Sequence, residues 1–155
     1  MLFKEFMNAH TIFVDLDDTL VKSMPLEYFR SKNSQNANGK IFDWNNTKQI
    51  TFLRPYAKEL INHCKKLADT CIFTHGHNHF QKEVISVLNL PIKCLYGRED
   101  YHKVPKTRNA ILIDDDPQIA SQKLKAIGTE KLILVKPWNF EDLDDTELLD
   151  LIKKI

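Results

Sequence analysis

Along this chain, short apolar runs alternate with stretches whose apolar residues recur at helical spacing. The runs TIFVD (11–15), TCIFT (70–74), IKCLY (92–96), AILID (110–114) and KLILV (131–135) predict strands. Between the first two, Pro55 stands where a helix can start, and Tyr56, Ala57, Leu60, Ile61, Cys64 and Leu67 follow on one face. After the second run, Asn78 is placed to cap a helix with Gln81 at its third position, and Phe80, Val84, Val87 and Leu88 form its apolar stripe. Pro117 opens and Gly128 closes the next helix, and DDTELLDLIKKI reads as a last helix with acids first and lysines last. Strand and helix alternating in this way predict an α/β fold with a central parallel sheet covered by helices on both faces, three α/β/α layers in all.

Residues 21–50 break the rhythm. SKNSQNANGK is rich in Ser, Asn and Gln and lies between the aromatic pieces LEYF and IFDW, which predicts a hairpin or flap with a polar tip. Internal repeats, linkers and low-complexity tracts are absent from the sequence, and 155 residues are the size of one ordinary domain. A single domain over residues 1–155, with a flap at about 21–50, is the expected organisation.

Composition narrows the function classes. A formal net charge of +1 gives no global pull toward nucleic acid or an anionic membrane. No run approaches the length of a membrane-spanning helix, and the amino-terminal MLFKEFMNAH lacks the pattern of a secretory leader. Cys64, Cys71 and Cys94 are odd in number and set in apolar segments, so reduced core thiols in a cytoplasmic setting are expected, not a disulfide framework. Oligomeric state is left open.

Candidate chemistry sits where the strands end, because ligands of open parallel sheets bind beyond the strands' carboxyl ends. The first strand ends in Asp15, followed by Leu16, Asp17, Asp18 and Thr19; the second ends in Thr74; the fourth ends in Asp114, Asp115 and Asp116. Lys103 and Lys106 lie between the last two. Carboxylates gathered this closely resist ionisation unless a cation neutralises them, and an all-oxygen set suits Mg²⁺ with a phosphate as co-ligand. The stretch THGHNHF offers another reading, a zinc hydrolase on His75, His77 and His79. Gly76 and Asn78 argue instead for a turn into a helix, and further ligands at suitable places are not seen downstream.

FVDLDDTLV resembles the first motif of the haloacid dehalogenase-like (HAD) hydrolases, an apolar strand followed by Asp-x-Asp-x-Thr. Thr74 resembles the second motif, Lys103 or Lys106 the third, and AILIDDDP the fourth, all in the family's order over about residues 11–120. Within that superfamily the chain looks most like the branch of the RNA polymerase II C-terminal-domain phosphatases, through FLRPYAKELINHCKKLADTCIFT, DYHK and DDTELLDLI. It departs from the branch at Asp18, where Glu is usual, at Asp115, where Asn is frequent, and over the shorter region from 92 to 110.

The resemblance implies a Rossmann-like HAD fold that is essentially capless, and a Mg²⁺-dependent phosphatase with a role for each residue. Asp15 would be the nucleophile that forms an aspartyl-phosphate, and Asp17 the general acid and base. Thr74, the backbone N–H of His75 and Lys103, with Lys106 as the alternative, would bind the phosphate. Asp15, Asp17 through its backbone carbonyl, and Asp114 or Asp115 would hold the metal. An open cleft implies a phosphorylated protein, a nucleic-acid end or a small molecule as substrate, and the charge and hydropathy lead us to expect no membrane partner. A HAD fold used only for binding is the idle alternative.

Overall fold

The computed structural model describes residues 2–155. In chain order its elements are α1 (Leu2–Met7), β1 (Thr11–Val14), β2 (Val21–Pro25), α2 (Leu26–Ser31), β3 (Lys40–Trp44), β4 (Thr47–Leu53), α3 (Ala57–Leu67), β5 (Asp69–Phe73), α4 (Asn78–Val87), β6 (Leu95–Tyr96), a 3₁₀ helix (Arg98–Lys103), β7 (Ala110–Asp114), α5 (Pro117–Ile127), β8 (Leu132–Leu134) and α6 (Glu147–Lys154). All five predicted strands form, and they join in one parallel sheet of order β6-β5-β1-β7-β8. The most buried strands, β1 and β7, lie inside the sheet, and the short, partly exposed β6 and β8 form its edges.

Alternation along the strands builds the layers. Ile12, Val14, Ile111 and Ile113 pack with Leu60, Ile61 and Cys64 of α3, Val84 of α4 and Leu148 and Leu151 of α6. Phe13 and Leu112 face the other way, onto Ala120 and Ile127 of α5. The register pairs Val14 with Ile72 on one side and with Ile113 on the other. Asp15, Thr74 and Asp114 therefore emerge along a single carboxyl edge. No helix among the described residues is long and apolar enough to cross a membrane.

The irregular segment is a second, antiparallel sheet of order β2-β4-β3, running three residues past the expected boundary to Leu53. Its tip differs from the expectation. The hairpin turns at Asn45 and Asn46, with φ of 48° and 63°, the left-handed pair that matches strand twist. The polar SKNSQNANGK is instead mostly the connection from α2 to β3. It is tied down where Nδ2 of buried Asn36 donates to the Phe140 carbonyl at 2.6 Å.

Two further expectations are corrected. Asn78 is the first residue of α4 and His77 its cap; the open Asn78 N–H donates to Glu99 Oε1 at 2.6 Å, so the cap comes from the 3₁₀ helix. Cys71 and Cys94 form a disulfide, with their Cα atoms 4.7 Å apart. The adjacency of β5 and β6 brings them together across 23 residues, which spacing alone does not disclose. The reduced-thiol argument for a cytoplasmic setting does not hold for this pair. Cys64 is free, and burial pushes its thiol up to about 12.

Candidate active site

At the carboxyl edge, ligand oxygens of Asp15, Asp114 and Asp115 lie within 4.8 Å of one another. Asp15 and Asp114 are buried and Asp115 is half-buried. The Thr19 hydroxyl lies 3.0 Å from Asp15 Oδ2 and 2.9 Å from Asp115 Oδ1, yet it has one hydrogen to give. Burial pushes the Asp15 carboxyl well above the ordinary aspartate range, against the pull of Lys123, and neighbouring Asp114 pushes it further. Burial also raises Asp115.

The lysine at this site is neither Lys103 nor Lys106. Lys103 is exposed and reaches only Asp100, at 3.7 Å, while Lys106 is exposed and donates to the Ala126 carbonyl at 3.4 Å. Lys123 of α5 is fully buried instead, its Nζ 2.7 Å from Asp15 Oδ1 and 2.7 Å from Asp114 Oδ2. Burial works against its charge, but the two carboxylates outweigh burial and hold its pKa above the ordinary lysine value. A signal was present in the sequence. Lys123 shares the buried stripe of α5 with Ala120 and Ile127, where a lysine has no place unless paired.

The second strand contributes Thr74, which is fully buried. Its Oγ1 accepts from the Gly76 N–H at 3.0 Å and faces Gln81 Nε2 at 3.3 Å. Gln81 Nε2 also donates to Asp17 Oδ2 at 2.7 Å. Burial raises the Asp17 carboxyl above the ordinary range. Held by Gln81, which also faces Thr74, the Asp17 side chain is not part of the three-acid cluster.

The histidines do not converge. His75 Nδ1 lies 3.2 Å from the Tyr101 hydroxyl and His77 Nδ1 lies 3.3 Å from Glu99. Among the described residues, the group with metal-ligand spacing is the acid trio. Burial, aided by Arg98, lowers the His75 pKa, which favours its neutral ring.

The loop after β1 turns sharply at Asp18, whose φ is 63°. Fully buried Arg54 fixes that turn, donating to the Thr19 carbonyl at 3.1 Å while its guanidinium forms a fork with Asp145 at 2.9 and 3.1 Å. Trp138 is buried, and its backbone N–H donates to the Asp18 carbonyl at 2.8 Å. Both residues hold the loop in place. Beside Asp17 opens a cleft of about 360 Å³ whose walls include Lys22 and Trp44 from the flap and Phe80 and Arg98 opposite. A larger cleft, about 490 Å³, lies at the amino ends of β7 and β8 around Arg108 and Gly128, away from the acids.

The family model described as "NLI interacting factor-like phosphatase" matches residues 10–155. No curated protein matches the chain. A fission yeast RNA polymerase II CTD phosphatase Fcp1 variant bound to beryllium fluoride superposes with a TM-score of 0.62 at 16% identity, over 99% of this chain and 50% of that one. Another structure of Fcp1, an essential RNA polymerase II CTD phosphatase, gives 0.64 at 17%, over 99% and 51%. A putative 3-deoxy-D-manno-octulosonate 8-phosphate phosphatase from Vibrio cholerae gives 0.54 at 11%, over 99% and 89%. The fold is thus the HAD-like α/β fold, and the chain spans about half the length of the Fcp1 structures.

Proposed function

The chain belongs to the NLI interacting factor-like phosphatase family, and on that premise we propose that it is a Mg²⁺-dependent phosphomonoester hydrolase acting through an aspartyl-phosphate on Asp15. The observation that carries this reading is the buried Asp15–Lys123–Asp114 bridge with Asp115 beside it. Three carboxylates against one ammonium leave the cluster short of positive charge, and the single Thr19 hydrogen serves one acid at a time. An all-oxygen, undercharged site of this kind fits Mg²⁺. Asp15, Asp114 or Asp115 and the Asp17 backbone carbonyl would hold it. When bound, the metal supplies charge neutralisation for the phosphate as it nears the nucleophile.

This chain's own residues supply the remaining roles. Asp15 attacks phosphorus in line, and Asp17 protonates the leaving oxygen and then takes a proton from the attacking water. Thr74 and the His75 N–H hold phosphate oxygens, and Lys123 stabilises charge developing on the phosphoryl group. Lys123 takes the part expected of Lys103 or Lys106. The open cleft supports an accessible phosphate, on a protein or at a nucleic-acid end, as substrate. We take residues 1–155 as one phosphatase domain with the β2-β4-β3 flap.

The test is phosphate release from an aryl phosphate. Activity that needs Mg²⁺, stops with EDTA and disappears in Asp15→Asn supports the reading; activity retained in Asp15→Asn contradicts it. Zinc held stoichiometrically and lost in His77→Ala would favour the histidine site instead.

A further inference from the structure

Gln81 is a buried side chain at this edge that neither the acid cluster nor the cap of α4 accounts for. It is 1% exposed, and its carbonyl Oε1 is sealed from solvent with no hydrogen-bond partner. Such an orphan is costly, so packing alone would favour an apolar residue of the same shape. Its amide nitrogen, by contrast, is fully used. One direction leads to Asp17 Oδ2 at 2.7 Å and the other to Thr74 Oγ1 at 3.3 Å.

The backbone makes room for this arrangement. A Cβ on Gly76 would collide with Gln81 Nε2, so the glycine at that position admits the amide. Gly76 does not require its freedom for dihedral reasons, since it is not among the positive-φ residues.

We propose that Gln81 is a positioning residue for Asp17, its N–H holding Oδ2 so that Oδ1 is the oxygen that exchanges protons with the leaving group and with water. Oδ1 has no protein partner among the described residues and is not sealed from solvent, and Asp17 lines the cleft. In the first step the Asp15–phosphorus bond forms and the ester P–O bond breaks. The leaving oxygen takes the proton from Asp17 Oδ1, and the carboxylate so formed gains a charge-assisted bond from Gln81. In the second step Oδ1 takes a proton from the water that displaces Asp15 from phosphorus. At Thr74, the Gly76 and Gln81 donors occupy the hydroxyl's lone pairs, which leaves its hydrogen for a phosphate oxygen. This inference rests on the phosphatase reading above.

The test compares two aryl esters, phenyl phosphate with a poor leaving group and p-nitrophenyl phosphate with a good one. Gln81→Met keeps the volume and removes the donor. A misaimed acid hurts the poor leaving group more, so kcat/KM should fall roughly tenfold or more on phenyl phosphate and no more than about threefold on p-nitrophenyl phosphate. The Mg²⁺ concentration for half-maximal activity should not move. Gly76→Ala, which displaces the amide without altering it, should give the same skew and add little to Gln81→Met in the double variant, which covers the case of a misfolded Gln81→Met. An equal loss on both esters, or none, overturns the proposal while leaving the phosphatase reading intact. A wild-type protein that releases phosphate from neither ester overturns both.

Discussion

The two sheets of this molecule treat charge in opposite ways. At the carboxyl edge of the parallel sheet, Lys123 of α5 is fully buried between Asp15 and Asp114. In the flap sheet, Lys48 and Asp43 pair at 2.9 Å with both side chains exposed, a contact worth little in water. A protein buries charge at a cost, and a site that does so at the carboxyl ends of parallel strands is arranged for chemistry rather than stability. The flap instead presents surface: Trp44 meets Phe80 edge-on at 5.4 Å and forms one wall of the cleft.

Removing the buried cation breaks the comparison most severely. Lys123→Met should lower kcat by roughly 10²–10³-fold, since it removes fixed positive charge from the reacting phosphoryl group. It should also cost the metal-free protein roughly 3–5 kcal/mol in a denaturant melt, because it leaves two buried carboxylates facing each other. By contrast, Lys48→Met in the flap should change neither quantity measurably; equal effects of the two substitutions would remove the distinction between the sheets.

The edge of the parallel sheet is sharpened by its disulfide. Reduction, or Cys94→Ala, frees the loop between Cys71 and Cys94 and should lower stability by about 3 kcal/mol, read as a drop in denaturation midpoint. An unchanged midpoint would show that β6 is held by its ladder alone.

Titration distinguishes the sheets as well. Asp15, Asp17 and Asp115 all hold their protons more tightly folded than unfolded, chiefly through burial. The stability they contribute is therefore complete below the ordinary aspartate pKa and is lost as pH rises through their raised values. In EDTA the Tm should fall as pH rises above the ordinary aspartate range, and Mg²⁺ at a hundredfold excess over its Kd should return about 2.7 kcal/mol. A metal-free Tm that climbs instead would contradict the burial of these acids.

The smallest effect is expected in the flap. Trp44→Ala should raise KM for bulky phosphoesters by roughly three- to tenfold, about 1 kcal/mol of aromatic contact, with kcat unchanged. A fall in kcat instead would place the flap within the reacting machinery.

Strand ends and their acids were legible in the sequence because both are local: an apolar run followed at once by Asp15, Thr74 or Asp114 needs no knowledge of the partner strands. Pro117 and Gly128 likewise marked α5, and Gly128 takes the left-handed φ of 88° that a helix end favours. What escaped was set by pairings distant in sequence. Family order points to Lys103 or Lys106, and Tyr101, placed before Lys103 as in the resembled branch, favours Lys103, whereas Lys123 reaches Asp15 across 108 residues. The Cys71–Cys94 bridge and the capping of α4 by Glu99 depend on β6 and the 3₁₀ helix lying beside β5 and α4, which composition does not encode. Gln81 looked like a capping residue and is instead turned toward Asp17.

The central claim is that Asp15 becomes phosphorylated during turnover. The direct test is acid quench of the Mg²⁺-loaded protein with p-nitrophenyl phosphate, whose leaving group needs little help from an acid, during its first turnovers, followed by mass analysis of the peptide containing Asp15. Asp17→Asn serves beside the wild type, to slow the second step. One phosphoryl group on Asp15, accumulating further in Asp17→Asn and absent from Asp15→Asn, is the predicted result. Steady phosphate release with Asp15 unmodified in both active forms would contradict the account.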